Sequence, residues 1–308
     1  MESIIVAVLK QKLKFASTLK EAAKIPFKSA NLLVVILIAS VPLLCFLLYY
    51  ETLLQETLSE TFRVLEKSCT SLEKDWPFPL CLTRRVSKDL TYRLIRLGFL
   101  YLIPLHPLEL LALIPSITAS SKVYTEEIPS TLAELMRTIH NHKARTRGTI
   151  ITSLLVLFLS ISTLVGSFWL VTVCYVVIRG LRGSFMLWTV YRAACIGMLV
   201  MYIEATAIWN MSFVISVLED CHGPKAIALA TNTIKRDEQC LVPLMLVLFV
   251  CGSWCRLICL KSTCSHWFGV EFLCVCLLHL GNVIKLMACV VCFHNRKGRT
   301  PKEVDEKA

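Results

Sequence analysis

The sequence has no Gly-rich phosphate loop, no Gly-x-Ser-x-Gly and no His-Glu-x-x-His. Those absences remove the P-loop nucleotide cradle, the nucleophile elbow of hydrolases and the helical zinc site of metalloproteases. The Cys-x-x-Cys-His of haem attachment is missing too, because "CVVCFH" at Cys289–His294 sets Phe293 between the second cysteine and the histidine. Acidic residues are scarce, 22 Asp and Glu against 33 Lys and Arg, for a net charge of +11. That excess forms no basic domain of the kind that binds nucleic acid. It flanks apolar runs instead, so the cations read as topology determinants and contacts to anionic phospholipid headgroups, and no nucleic-acid partner is expected. No cleavable signal peptide is evident, since the apolar run behind the basic first ~30 residues is long and has no small-x-small exit. Leu32–Tyr50 is expected to serve as an uncleaved signal anchor.

What the chain does have is apolar length. It is 56% hydrophobic with mean hydropathy +0.64, against about 45–50% apolar in a soluble domain. The excess is gathered into runs of roughly 18 or more residues, the length that a ~30 Å hydrocarbon core demands at 1.5 Å per residue. Six spans are predicted: Leu32–Tyr50, Leu94–Ser120, Thr149–Ile178, Phe185–Leu218, Leu241–Leu260 and Phe268–Phe293. Backbone polar groups in lipid must be satisfied within each segment or by barrel closure. The expected fold is therefore all-α, an integral membrane bundle of six transmembrane helices over residues 32–293. A cytoplasmic amphipathic segment (1–31) precedes it and a polar tail (294–308) follows. Pro104 and Pro107 each remove a helix hydrogen bond, which predicts a kink or break in the second span.

With six spans the N-terminus, the second and fourth connections and the C-terminus share one side, and 19 Lys and Arg lie there. The two short opposite connections hold only Arg179, Arg182, Arg256 and Lys261, and the seven basic residues of the long Glu51–Arg93 loop are matched by seven acidic ones. Both termini are thus expected in the cytoplasm. Three stretches on that side share a plan: Thr18–Leu37, Thr131–Phe158 and Lys225–Phe249. Each reads as a short amphipathic helix, a basic stretch and a descent into the membrane. In the third, Ile227, Ala230 and Ile234 share a face away from Lys225, Lys235 and Arg236. Such helices are expected to lie flat in the interface, apolar side down. Gly223-Pro224 would make the turn that starts the third, because proline suits a first helical position.

"SVLEDCHGPKAIALATNTIK" (Ser216–Lys235) resembles a motif of a large group of uncharacterised multi-pass plant membrane proteins. In that motif a long fourth span ends in a Ser-Val-Leu-Glu box, a turn glycine follows, and an alanine-bearing amphipathic helix leads back into the membrane. It is more distantly similar to the membrane domain attached to some bacterial glycerophosphodiesterases. The pattern maps onto Ser216, Val217, Leu218, Glu219, Gly223, Ala226 and Lys235. His222 stands where an aromatic residue is commoner, and no glycine follows Lys235. "EAAKIPFKSANLL" also fits the family's opening helix. The resemblance implies a six-span fold and membrane residence, in the endomembrane system or at the plasma membrane. It implies no catalysis, since no phosphodiesterase domain is present.

Most of the 15 cysteines lie in apolar runs, where cysteine packs as a small apolar residue. Cys251, Cys255 and Cys259 repeat every fourth residue and read as a packing stripe rather than a metal site. No metal or cofactor is expected. Cys69 and Cys81 share the long hydrophilic loop and are candidates for a disulfide. Cys289 and Cys292, beside Arg296 and Lys297, are candidates for palmitoylation. Charged residues inside spans are costly and so become candidate functional residues. His106 and Glu109 form a candidate midplane polar site, with His279 and Asn210 of related type. Depth along the spans pairs Glu204 with Lys285 and Arg192 with Glu271. Helical phase is less favourable, since Arg192 and Glu204 are ~120° apart around their helix while Glu271 and Lys285 are ~40° apart around theirs.

Two roles follow. The first is a scaffold or lipid-associated protein without catalysis, in which intramembrane carboxylates are paired and sealed. The alternative is a transporter or channel-like protein using Glu109, Glu204 and Lys285, which requires a polar cavity reaching the midplane.

Overall fold

The computed structural model describes residues 16–26, 28, 30–71, 88–125, 143–180, 185–219, 221–262 and 268–297. Among these residues every regular element is helical. Helix α1 is Ala30–Ser71 and α2 is Lys88–Leu100; a π-helical turn at Tyr101–Leu105 joins α2 to α3, His106–Tyr124. Then come α4 (Lys143–Gly180), α5 (Phe185–Leu218), α6 (Pro224–Ser262) and α7 (Phe268–Lys297). A further helix covers residues 16–26. Six helices are long and apolar enough to cross a membrane, over Ile36–Thr61, Tyr92–Tyr124, Arg147–Val171, Met186–Leu218, Leu241–Cys259 and Gly269–Lys297. The second of these runs through α2, the π turn and α3. The all-helical, six-span expectation therefore holds.

The second span departs from α geometry where its prolines predict. Pro104 sits inside the π turn, whose wider register accommodates a residue that cannot donate to the preceding turn. The chain continues as helix without a break, with Pro107 in the first turn of α3, where its missing N–H costs little.

Two expectations are corrected. The Glu51–Arg93 stretch does not begin as a loop, because α1 runs on to Ser71. No Gly or Pro lies between Pro42 and Pro77 to stop it. Arg93 of α2 bridges back to Glu56 and Glu60 of α1, both at 3.1 Å. Second, Lys225–Arg236 is not a separate helix lying flat; it is the start of the continuous α6. At 1.5 Å per residue that helix is roughly 58 Å long, so part of it projects beyond a ~30 Å hydrocarbon layer. Its apolar face has found protein, since Ala226, Ala230 and Ile234 join the main core with Met211, Val214 and Ile215. The 16–26 helix does likewise, with Ala22 and Ile25 against Ala119, Val123, Met287 and Val291. The second amphipathic stretch, 131–142, lies outside the described residues.

Helix α7 is central, packing on α1, α3, α5 and α6. The starts of α4 and α6 and the ends of α3, α5 and α7 gather at one end of the bundle, here the proximal end, where most of the core lies. The end holding Glu51 and Arg256 is the distal end. Outward faces are apolar, as at Phe158, Val165, Phe168 and Trp169 on α4 and Met186 and Val190 on α5.

Candidate functional site

The inward face of α7 carries His279, Asn282 and Lys285 at three-residue spacing, so they stand one above another. Across from them α3 presents Glu109, Ala112 and Ser116, α5 presents Asn210 and Phe213, and α1 presents Ser40 and Leu43. Short side chains at Ser40, Ala112 and Ser116 leave room between four helices, and the result is a cavity of about 150 Å³. Polar groups line an otherwise apolar bundle here. Lys285 Nζ donates to Asn282 Oδ1 at 3.1 Å. Asn210 Nδ2 donates to the Thr206 carbonyl at 2.6 Å. His279 Nε2 is buried with no hydrogen-bond partner among the described residues.

Glu109 meets His106, with Nδ1 3.9 Å from its carboxylate, and His106 Nε2 lies 2.7 Å from Ser153 Oγ on α4. A wider cavity of about 690 Å³ adjoins the first at Leu47, Glu109 and Asn282 and extends to the distal end. It runs between α1, the π turn, α6 and α7, past Tyr50, Tyr101 and Leu248 to Glu51 and Arg256. At its rim the buried Glu51 carboxylate accepts from Gln55 Nε2 at 3.0 Å and pairs with Arg256 Nε at 3.4 Å.

The His106–Glu109 site is thus assembled, and Lys285 joins Glu109 in one cavity. The expected pairs Glu204–Lys285 and Arg192–Glu271 do not form. Glu204 and Arg192 face outward and are exposed, Lys285 turns to Asn282 of its own helix, and Glu271 Oε1 is buried without a partner among the described residues. The ~120° offset between Arg192 and Glu204 against ~40° between Glu271 and Lys285 explains why both pairs cannot close at once. The cavity also includes Asn282, Ser40 and Ser116, which charge alone did not single out. Their signal in the sequence is a small or amide residue on the same helical face as a charged or imidazole one.

The Ser216–Lys235 motif proves to be a buried polar knot. Ser216 Oγ lies 3.0 Å from Thr152 Oγ1 and 3.2 Å from His222 Nδ1. Gly223 N–H donates to Thr152 Oγ1 at 2.8 Å, and Thr149 Oγ1 donates to the Ser216 carbonyl at 3.3 Å. Gly223 has φ +62°, a left-handed conformation in which a Cβ is strained. His222 lies so close over Gly148 that a Cβ there would stand 2.2 Å from the ring. Ala226 is fully buried, Leu218 and Glu219 are half-buried, and Lys235 is exposed. The partners on α4, namely Gly148, Thr149 and Thr152, escape a reading confined to the motif. Their only sign is a Gly-Thr-x-x-Thr at the start of a span.

Nearby, α3 and α7 are clamped together. The Tyr124 ring stacks on His294, Ser121 Oγ is 2.8 Å from His294 Nε2, and Tyr124 OH donates to Asn295 Oδ1 at 2.9 Å. Arg296 donates to Thr233 of α6. Cys289 and Cys292 sit inside the core, which closes them to acylation. Cys81 lies outside the described residues, so the Cys69–Cys81 bridge does too. No group of three or more metal-ligating side chains occurs among the described residues.

A family model described as "Domain of unknown function (DUF8558)" matches residues 9–302. No curated protein and no solved structure matches the chain.

Proposed function

Because the chain belongs to the DUF8558 family, a domain of unknown function, we propose its role from the bundle itself: a six-pass membrane protein that admits a small polar solute to a site half-way across the membrane, as a transporter or channel-like protein does. The observation that carries this reading is the polar cavity at Glu109, Asn282 and Lys285 adjoining a wider space that extends to the distal end. A scaffold has no need of a polar space there. Charged groups in hydrocarbon cost ~2.5–3.5 kcal/mol on insertion scales, and where they face a cavity they commonly mark a solute or ion path. Positive-inside charge sets both termini and the proximal end in the cytoplasm, so the wide cavity opens to the opposite side. Phospholipid surrounds the outward apolar faces, and anionic headgroups meet the basic proximal segments. Of the charged residues first considered for transport, Glu109 and Lys285 belong to this path and the exposed Glu204 does not.

The test is uptake into sealed proteoliposomes of a panel of small radiolabelled polar solutes, anionic, cationic and zwitterionic. At least one solute should accumulate above protein-free vesicles, and Asn282→Trp, which fills the cavity, should abolish that. Uptake equal to protein-free vesicles for every solute, from protein shown to be monodisperse, would overturn the reading.

A further inference from the structure

We infer that the cavity between α1, α3, α5 and α7 binds a zwitterion, with Lys285 taking its anionic group and Glu109 its ammonium. The inference rests on the reading that the cavity admits solute, and it narrows the chemical class. A cavity of about 150 Å³ matches one known to hold benzene, a guest of about six non-hydrogen atoms. Size alone therefore restricts the polar part of the ligand to something near glycine.

Charge does the rest. A lysine ammonium has three donors, and among the described residues Lys285 uses one, toward Asn282. Among the described residues the Glu109 carboxylate has His106 as its ion-pair partner, at 3.9 Å and beyond hydrogen-bond distance, and it is 39% exposed. The two groups stand on different helices and line the same space, yet they form no ion pair with each other. A plain anion at Lys285 would be repelled by Glu109, and a plain cation at Glu109 by Lys285. One molecule carrying both charges satisfies both groups at once, in a low-dielectric setting where an unmet charge is costly. The amides of Asn210 and Asn282 and the unpartnered Nε2 of His279 supply further hydrogen-bonding groups that orient such a ligand, in the pattern of a few convergent polar groups on an apolar wall.

That chemistry has two sources: a free amino acid, or the phosphoethanolamine head of a lipid whose chains occupy the wider, largely apolar cavity past Leu105, Leu248 and Leu277. The experiment separates them. The full chain is placed in nanodiscs of phosphatidylglycerol, which has no ammonium group. Binding of radiolabelled glycine is then competed with acetate and methylammonium. In a parallel arm, phosphatidylethanolamine is titrated into the nanodiscs and retained lipid is read by native mass spectrometry. Either glycine or phosphatidylethanolamine should bind saturably, with acetate and methylammonium at least tenfold weaker than glycine in the first case. Glu109→Gln and Lys285→Met should each weaken binding at least tenfold, while Glu204→Gln, a like change on the outer face, should leave it unchanged. If the cavity variants fail to fold, the selectivity of the wild-type protein still decides. Acetate binding as tightly as glycine, lost only in Lys285→Met, would refute the zwitterion and leave a solute cavity standing. Saturable binding by none of the probes would refute both.

Discussion

Thr152→Val removes one hydroxyl from the knot that joins α4 to the α5–α6 turn, and its cost can be worked from the contacts. Thr152 is fully buried. Its Oγ1 accepts the Gly223 N–H at 2.8 Å and lies 3.0 Å from Ser216 Oγ. Valine preserves the shape, so little of the loss comes from packing. Gly223 cannot turn its N–H elsewhere, because its φ of +62° is fixed by the turn between two long helices. Stranding a buried N–H costs about 1–3 kcal/mol. Ser216 keeps His222 and Thr149 as partners, so its share of the loss is small. The expected total is about 2 kcal/mol. By the scaling for domains of 150–250 residues, that lowers Tm by roughly 4–8 °C; a 308-residue chain should fall toward the lower figure. The assay is intrinsic tryptophan fluorescence on heating in detergent. Thr163→Val is the control, since among the described residues Thr163 Oγ1 bonds only the Leu159 carbonyl of its own helix, at 2.7 Å, and such a change should stay within about 0.5 kcal/mol. A Thr152→Val protein as stable as the Thr163→Val control would refute the view that this knot fixes the turn.

Gly148→Ala places a Cβ 2.2 Å from the His222 ring and should cost about 1–3 kcal/mol as an overpacking change; adding His222→Ala should recover part of the loss in the same melting assay, and no recovery would exclude the ring as the clash. Arg256→Met leaves the Glu51 carboxylate buried with Gln55 alone. Arg256 is itself 53% exposed, so the expected cost is only about 1–2 kcal/mol rather than that of a buried pair, and Glu51→Gln should restore stability in the double variant. Glycosylation tags appended to either terminus should remain unmodified in microsomes; a modified C-terminal tag alone would require an odd number of spans.

Span number was legible because apolar length is a one-dimensional property. The cavity was half legible. His106 and Glu109 announce themselves as costly groups three residues apart on one helix, and Lys285 as a lone cation deep in a span. Their partners depend on rotation about the helix axes, which a few degrees of crossing angle decide, and so depth alone paired Lys285 with Glu204 when the structure turns Glu204 outward. The amphipathic helices misled for a related reason. An apolar stripe on a basic helix fits a lipid interface and a protein groove equally well. Ala226, Ala230 and Ile234 are small enough to let α6 approach the core closely, and that is where they went. Gly148 and Thr152 were invisible because their work is done across more than sixty residues of sequence, in contacts with His222 and Gly223.

The central claim is that open space reaches Asn282 from the end of the bundle that holds Glu51 and Arg256. Cysteine accessibility tests it most directly. Asn282→Cys in sealed vesicles is treated from each side with a membrane-impermeant thiol reagent, and modification is read at that peptide by mass spectrometry, so the native cysteines do not interfere. Leu280→Cys, on the exposed outer face of the same helix, is the comparison. The account predicts that Asn282→Cys is modified from the non-cytoplasmic side and Leu280→Cys from neither. Asn282→Cys left unmodified from both sides would contradict it.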